Sequence, residues 1–245
     1  MGPARRRLGT VLIVVGLLVL AYGAAVLFWR DPITDLYARY QQHKLAGQLE
    51  QTWPDYRTGL LGDDFHGGDA ARLAAVQEQV AHAARDFQRR LRDGKPLGRI
   101  VIRRMGLRVI FVQGTDWAHD LSKGPGHYEQ TSVPGLGKTT AIAGHRTTFG
   151  APFRKIDRLR QGDAILLELP YGTFRYRVLS HKVVKANDWS IIRDRGFDEL
   201  VLSACHPLYS ASHRWVVFAR LVEVTPSTGQ SYALAARRSS TPRRG

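Results

Sequence analysis

The single cysteine of the sequence, Cys205, stands where a thiol could face a cleft. It follows the apolar run 200–204 and precedes His206-Pro207, which breaks an extended strand. The next such run begins at Arg214. If the two runs form neighbouring antiparallel strands, Cys205 and Arg214 lie at the same sheet edge. A guanidinium beside a thiol favours the thiolate and can stabilise an oxyanion, whereas a lone cysteine is otherwise commonly a small buried hydrophobe.

A cysteine nucleophile needs an acid or base, and three of the nine histidines stand in suggestive positions. His145 ends the run 140–144, and the glycine before it leaves space beside the imidazole. His206 is adjacent to Cys205, but alternation along an extended chain points the two side chains apart. His127 lies in a turn-rich segment that could border a pocket. For each of them, a surface or hydrogen-bonded structural role is the alternative.

A β-rich domain between Lys95 and Thr225 would position these residues. Short β-type runs bounded by turn residues predict strands at Arg99–Arg103, Arg108–Val112, Thr140–Gly144, Ala164–Leu169, Thr173–Lys185, Leu200–Ala204 and Arg214–Val224. Seven or eight such strands with few helical stretches predict a closed or nearly closed antiparallel barrel. Residues 226–245 are rich in serine, arginine and small residues, which predicts a disordered basic tail.

An uncharged apolar stretch of 22 residues, 8–29, is long enough to cross a bilayer as a helix. Three arginines at positions 5–7 precede it, which predicts that residues 1–7 are cytoplasmic and that the rest of the chain lies outside the cell membrane. Trp29 would then lie at the outer interface. A cleaved signal peptide is the alternative, because residues 21–24 loosely resemble a cleavage site.

Residues 30–94 are typical of a helical stalk or linker. A short helix around residues 33–51 is followed by a glycine-rich, flexible break. Asp69 could then cap a second helix. The apolar residues of this helix recur at steps of three and four, at Leu73, Val76, Val80, Ala84, Phe87 and Leu91. This face either packs on the following domain or binds a partner.

Composition limits the function further. The 245 residues allow one core domain with attachments, and 36 basic against 21 acidic residues give a net charge of +15. One cysteine excludes an intramolecular disulfide and a cysteine-rich zinc site. No group of histidines and carboxylates has metal-ligand spacing, so we predict no metal and no cofactor. Outside a membrane, the excess positive charge favours anionic wall polymers or lipid headgroups over nucleic acid.

The residues and their order resemble the sortases, cysteine transpeptidases of Gram-positive bacteria that attach secreted proteins to the cell wall or join pilin subunits. The resemblance extends over roughly residues 97–224. Its most specific blocks are Gly124-Pro-Gly-His-Tyr128, the segment 141–153 and Cys205-His-Pro-Leu-Tyr-Ser210, which are most similar to class E sortases of high-GC actinobacteria. It implies a mainly β fold, a sortase-like eight-stranded β-barrel at residues 95–225, after the transmembrane helix and the helical stalk.

By that resemblance Cys205 is the nucleophile, His145 the general acid/base, and Arg214 the residue that positions substrate and stabilises the oxyanion. The sequence departs from the family pattern immediately before the nucleophile, where an alanine replaces the usual threonine. A tryptophan also stands in the segment where class E enzymes carry a tyrosine linked to motif preference. The substrate-binding residues that the resemblance implies are Ala204, His127, Tyr128 and Trp189.

The implied reaction is ping-pong acyl transfer on a C-terminal sorting signal, Leu-Pro-x-Thr-Gly or, in class E, Leu-Ala-x-Thr-Gly. The thiolate attacks the Thr–Gly carbonyl, and an amine from a peptidoglycan precursor (lipid II) or from a pilin lysine resolves the thioester. The implied partners are secreted proteins with sorting signals, the acceptor and the membrane, and not nucleic acid. A hydrolytic cysteine peptidase, an L,D-transpeptidase-like enzyme and a non-enzymatic wall-binding module are the alternatives.

Overall fold

The structure is a computed structural model that describes residues 3–28, 31–53, 56–59, 68–228 and 231–234. Trp29, most of the glycine-rich break and residues 235–245 lie outside the described residues. The interface role of Trp29, the flexibility of that break and the disorder of the final residues therefore stay predictions.

Within the described residues, three α-helices precede nine strands. The helices are α1 (Pro3–Phe28), α2 (Pro32–Thr52) and α3 (Asp69–Arg89). The strands are β1 (Pro96–Ile102), β2 (Leu107–Gln113), β3 (Gly126–His127), β4 (Thr139–Gly144), β5 (Ala164–Leu169), β6 (Gly172–Lys185), β7 (Glu199–His206), β8 (His213–Pro226) and β9 (Tyr232–Ala233). Short 3-10 helices lie at Arg103–Met105, Ile156–Arg158 and Trp189–Ile192.

Eight of these strands close into a barrel. They pair in the order β6-β5-β1-β2-β3-β4-β7-β8, and β8 pairs back with β6. The predicted eight-stranded barrel is confirmed. The prediction that it is antiparallel is wrong at two pairs, because β2 and β3, and β4 and β7, run parallel. β5 and β6 intervene between β4 and β7 in sequence, and runs of apolar residues do not reveal such a crossover.

Large apolar side chains fill the barrel. β4 is buried along all six of its residues, and β7 along its first six. The largest fully buried side chains include Tyr171, Tyr176, Phe111, Phe153 and Phe174. Because such a close-packed wall deforms little, it fixes where β4 and β7 end and where the residues that follow them lie.

After the three arginines of its first turns, α1 is apolar around its circumference. The stretch Arg7–Ala25 has a mean hydropathy of 2.4, and 0% of it is buried against the rest of the chain. A helix without a polar face and without protein packing fits a lipid environment. α1 could therefore cross a membrane, consistent with the span predicted at residues 8–29.

α2 packs on the barrel and does not stand apart as a spacer. Its residues Leu45 and Leu49 are buried in a cluster with Ile110 of β2. Gln42 Nε2 donates to Ile110 O at 2.9 Å, and Ile110 N donates to Gln42 Oε1 at 2.7 Å. The helix predicted around residues 33–51 is confirmed, and these contacts fix it against the domain.

α3 packs on the barrel through half of its predicted apolar face. Val80, Ala84 and Phe87 are buried in the main core, whereas Leu73 is 37% exposed. Packing on the following domain, one of the two interpretations of this face, is thus confirmed for its C-terminal half. The predicted Asp69 cap is wrong, since Gly68 is the cap and makes no side-chain bond. Asp69 begins the first turn instead, where the helix dipole favours a carboxylate.

The start of the predicted tail is ordered. β9 adds to the barrel by pairing with residues 223–224 of β8. Thr228 N donates to Thr58 O at 2.9 Å, which ties this segment to the chain before α3. The prediction of disorder is therefore wrong at residues 226–228 and 231–234, where a two-residue strand was too short to leave a pattern in the sequence.

Phe87→Ala is expected to lower the free energy of unfolding by about 3 kcal/mol, because truncation leaves a cavity in the core. The Phe87 ring is 4% exposed and contacts the rings of Tyr56 and Tyr171 at centroid distances of 5.3 and 5.5 Å. Chemical denaturation of the full chain in detergent measures the change. The exposed Leu73 provides the matched control on the same helix, and Leu73→Ala should cost less than about 0.5 kcal/mol. Equal losses in the two variants would contradict the packing of α3.

Candidate active site

Three strands meet at one edge of the barrel. β4 and β7 run parallel, with Gly144 opposite Ala204. His145 follows Gly144 at the end of β4, and Cys205 follows Ala204 in β7. β8 is antiparallel to β7, and Cys205 pairs directly with Arg214. The structure therefore brings the three predicted catalytic residues to the same edge, with Cys205 between the other two.

His145, Cys205 and Arg214 line one open cavity of about 380 Å³. Two exposed tryptophans, Trp117 at 66% and Trp189 at 64%, line the same cavity. A cleft of this size, lined by aromatic and small apolar side chains and by a few polar groups, suits a short segment of peptide.

The glycine before His145 is required by packing. A Cβ added to Gly144 would lie 2.5 Å from Cδ2 of Phe153, and Phe153 is fully buried. A larger residue would displace either the end of β4 or a core ring. The Gly-His pair thus lets β4 run tightly over the core and deliver the imidazole to the cavity.

The His145 ring is mostly buried, and burial lowers its pKa below the usual value. Nε2 has no hydrogen-bond partner within the described residues. The ring packs instead against Phe149, with a centroid distance of 5.3 Å and an interplanar angle of 37°. A lowered pKa keeps the imidazole neutral near pH 7, so it can accept a proton from a thiol or an amine.

Cys205 is a half-buried free thiol, and the half-buried Arg214 is fixed beside it. Nη1 of Arg214 donates to the carbonyls of Ala211 and His213 at 2.9 and 3.0 Å. These bonds anchor one side of the guanidinium to the β7–β8 loop. The remaining donors of the fork are thereby held at the cavity, where they can meet an acceptor oxygen.

Three of the four predicted substrate-binding residues line the cavity, namely Tyr128, Trp189 and Ala204. The Tyr128 hydroxyl lies 2.9 Å from Ser203 Oγ, and burial raises its pKa. The Tyr128 ring meets Trp189 edge-on at a centroid distance of 6.4 Å. The two aromatic residues therefore form one wall of the cavity.

The fourth, His127, does not reach the cavity. It is 1% exposed, its Nδ1 lies 2.9 Å from Gln113 Oε1, and its Nε2 lies 3.1 Å from Thr131 Oγ1. Burial lowers its pKa to about 4, so the ring is neutral near pH 7. The turn-rich segment around His127 contains β3, a short strand of the barrel wall, which places this residue away from the cavity that the other three line.

Two residues at the site escaped the sequence-based reasoning. Arg146 is 3% exposed; its Nη2 donates to Asp157 Oδ2 at 2.8 Å and its Nη1 to Cys205 O at 3.3 Å. Arg146 therefore ties the chain after β4 to the end of β7. Its only signal in the sequence is its place beside His145. Trp117 likewise had only one signal, a large apolar residue within a polar turn segment.

Comparison with known proteins assigns the family. The family model of the sortase domain matches residues 100–222, about half of the chain, and this range includes the cavity-lining ends of β4, β7 and β8. The chain belongs to the sortase family, whose members are cysteine transpeptidases.

Among the relatives, class E sortases recur. Sortase SrtE1 of Streptomyces coelicolor is 25% identical over 247 residues, which cover 94% of this chain and 61% of that protein. Sortase D of Bacillus subtilis is 31% identical over 164 residues, or 62% of this chain and 81% of that protein. The crystal structure of Sortase E1 from Streptomyces coelicolor with a tripeptide in the active site has a TM-score of 0.52 at 25% identity, over 54% of this chain and 91% of that one. The resemblance to class E sortases is confirmed.

Proposed function

We propose that this sortase is a membrane-anchored cysteine transpeptidase that cleaves a Leu-Ala-x-Thr-Gly or Leu-Pro-x-Thr-Gly sorting signal between Thr and Gly. Cys205 is the nucleophile, His145 the general acid/base, and Arg214 the group that stabilises the oxyanion. The observation that most directly supports this proposal is the meeting of these three residues in one cavity, at the ends of β4 and β7 and the start of β8.

In the first half-reaction, His145 takes the proton of the Cys205 thiol, and the resulting thiolate attacks the threonine carbonyl carbon of the Thr–Gly bond. The oxyanion that forms accepts hydrogen bonds from Arg214. The C–N bond then breaks as protonated His145 gives its proton to the departing glycine amine. The products are a thioester on Cys205 and a released peptide that begins with glycine.

In the second half-reaction, an acceptor amine attacks the thioester carbonyl, and His145 takes the proton that the amine loses. The C–S bond breaks, and the thiolate of Cys205 is restored. The acceptor is either the cross-bridge amine of a peptidoglycan precursor such as lipid II or a pilin lysine. Both are primary amines, so the same histidine chemistry serves either one.

The cavity walls carry the residues we assign to the sorting peptide. Tyr128 and Trp189 offer aromatic surface, and Trp117, which was not predicted from the sequence, extends it. Ala204 supplies no hydroxyl beside the nucleophile. The hydroxyl of Ser203 does not replace it, since Ser203 Oγ lies 2.9 Å from the Tyr128 hydroxyl. The peptide is therefore held here by apolar contact and Arg214 more than by a hydroxyl before the cysteine.

We further propose that the N-terminus is cytoplasmic, that residues 8–29 span the cell membrane, that residues 30–94 connect the span to the barrel and that residues 95–225 act outside. Residues 95–225 hold 20 basic and 11 acidic residues, an excess of nine positive charges. Such a field attracts the anionic polymers and headgroups near a cell surface. It favours wall-side substrates and acceptors as partners.

Mass spectrometry of the full chain in detergent micelles, incubated with a Leu-Ala-x-Thr-Gly peptide, tests the reaction. We expect Cys205 to gain the mass of the acyl fragment that ends in threonine. Added oligoglycine should then convert the thioester to a transfer product at the expense of hydrolysis. Hydrolysis without transfer would indicate a peptidase, and a thiol that neither acylates nor alkylates would indicate a wall-binding module. A peptide with a scrambled motif is the control.

A further inference from the structure

The loop after His145 has an unusual backbone conformation. Phe149, Gly150 and Ala151 follow one another with φ angles of +49°, +73° and +45°. Two of the three are not glycine, and residues other than glycine rarely adopt this left-handed backbone conformation. Such a conformation persists where the surrounding structure holds it in place.

The start of α2 supplies contacts that hold this loop. Phe149 N donates to Thr34 Oγ1 at 3.0 Å. The ring of Tyr37 meets the Phe149 ring edge-on, with a centroid distance of 6.2 Å. Ala38 is 7% exposed, and a Cβ added to Gly150 would lie 3.4 Å from the Ala38 Cβ. The first turns of α2 are therefore packed directly on the loop.

The Phe149 ring also meets His145, at the centroid distance of 5.3 Å given above. A catalytic histidine normally needs a neighbouring group to orient it, commonly a carboxylate that accepts a hydrogen bond from the ring. Within the described residues, no side-chain hydrogen bond of His145 takes that role, and its Nε2 has no partner. The Phe149 ring packs against the imidazole and can therefore set its angle.

We propose that Phe149 is a positioning residue for His145, and that Thr34 and Tyr37 of α2 hold Phe149 in the position that orients the imidazole. The proposal rests on the proposed function for its effect on catalysis. α2 begins at Pro32, close in sequence to the end of α1 at Phe28. The segment next to the possible membrane span thus takes part in ordering the active site.

Several charged or titratable groups face His145 or the loop. The cavity that His145 lines is also lined by Tyr128, Asp188, Cys205 and Arg214. Arg146 follows His145 in the sequence, and Asp35 of α2 lies near Gly150. Tyr37, whose ring meets Phe149, is a further titratable group at the loop. The substitutions Phe149→Ala, Tyr37→Ala and Thr34→Val remove no carboxylate, imidazole, ammonium or guanidinium group. Any change in the titration of His145 in these variants therefore comes through packing and solvent access.

The test is a pH titration of the histidine ring signals by NMR in the full chain in detergent micelles, with His145→Gln to assign the His145 signal. Phe149→Ala should raise the pKa of His145 towards about 6.5, because the ring becomes hydrated. It should lower kcat/KM for the sorting peptide about tenfold and move the limb of the pH–rate profile that reports His145 to higher pH. Tyr37→Ala and Thr34→Val should act in the same direction with smaller effects.

Two controls are matched to these variants. Tyr40 lies on α2 and its side chain is 65% exposed, so Tyr40→Ala should leave the titration and kcat/KM unchanged. Thr34→Ser keeps the hydroxyl oxygen that accepts from Phe149 N and should behave as the unchanged protein. Phe149→Leu keeps apolar cover and should restore much of the loss.

An unchanged His145 titration in folded Phe149→Ala would overturn the proposal. A change in that variant, with none in Tyr37→Ala or Thr34→Val, would overturn the part assigned to α2. If Phe149→Ala does not fold, the α2 variants decide the question, because the residues they alter lie outside the barrel. A protein that cleaves no sorting peptide would refute the proposed function, while the titrations would still decide whether Phe149 packs on and orients His145.

Discussion

Cys205→Ala is expected to reduce peptide cleavage by a factor on the order of 10⁴ or more, because the chain then lacks the nucleophile for a covalent intermediate. No other thiol is available to take over, since the sequence contains one cysteine. His145→Gln should cause a loss of similar size, because residues that act as one unit are each indispensable. Both losses are measured by incubating the full chain with a sorting peptide and quantifying the cleaved product by chromatography.

Folding must be separated from chemistry in this experiment. Cys205 is half-buried, so a one-atom deletion there should leave the melting temperature nearly unchanged. Cys205→Ser keeps the size of the side chain but replaces the thiol with a much weaker nucleophile, and it should be as inactive as the alanine variant. Cleavage at the original rate in a folded Cys205→Ala chain would refute the assigned nucleophile.

The sequence could predict the site residues that lie at the ends of strands, because strand ends can be predicted. Cys205 closes an apolar run and stands before His206-Pro207, and His145 closes another run after a glycine. To place both residues, it was enough to recognise an apolar run and the residues that end it. That the two ends share one edge depends on the parallel pairing of β4 with β7, which the strands between them in sequence conceal.

Tertiary contacts explain the residues that sequence reasoning missed or placed wrongly. Arg146 is buried because Asp157 reaches it from a 3-10 helix, and no local pattern signals such a pair. Phe149 owes its place to α2, more than a hundred residues earlier. His127 lies among glycine and proline, which suggested a turn-rich segment bordering a pocket. In the structure these small residues allow a two-residue strand to fit between β2 and β4.

The helical region before the barrel shows the same limit. Both helices were predicted, the second from its apolar periodicity, and the structure contains both. Their packing on the barrel depends on partners supplied by distant strands, such as Ile110 for Gln42. A segment that composition alone suggests is a stalk is therefore part of the folded domain, which is why its first turns can contact the loop beside His145.

Arg214→Ala is expected to lower kcat/KM by about 10²- to 10³-fold, the loss typical of removing a donor to a developing oxyanion. Arg214 is the direct cross-strand partner of Cys205, and the carbonyls of Ala211 and His213 hold its guanidinium at the cavity. Arg214→Lys keeps the charge without the planar fork, so it should recover only part of the activity. Steady-state kinetics with a sorting peptide measures each variant.

The division of the loss between kcat and KM identifies what Arg214 does. If its donors act mainly on the oxyanion, kcat and kcat/KM fall together; if they hold the peptide equally in the ground state, KM rises while kcat is kept. Arg220 is the matched control on the same strand, since its guanidinium lies over the Phe197 ring at 5.0 Å and does not line the cavity. Arg220→Ala should therefore leave both constants unchanged. A loss in Arg220→Ala as large as that in Arg214→Ala would assign the effect to the positive field of the barrel, since the two residues share charge and strand but only Arg214 lies beside the thiol.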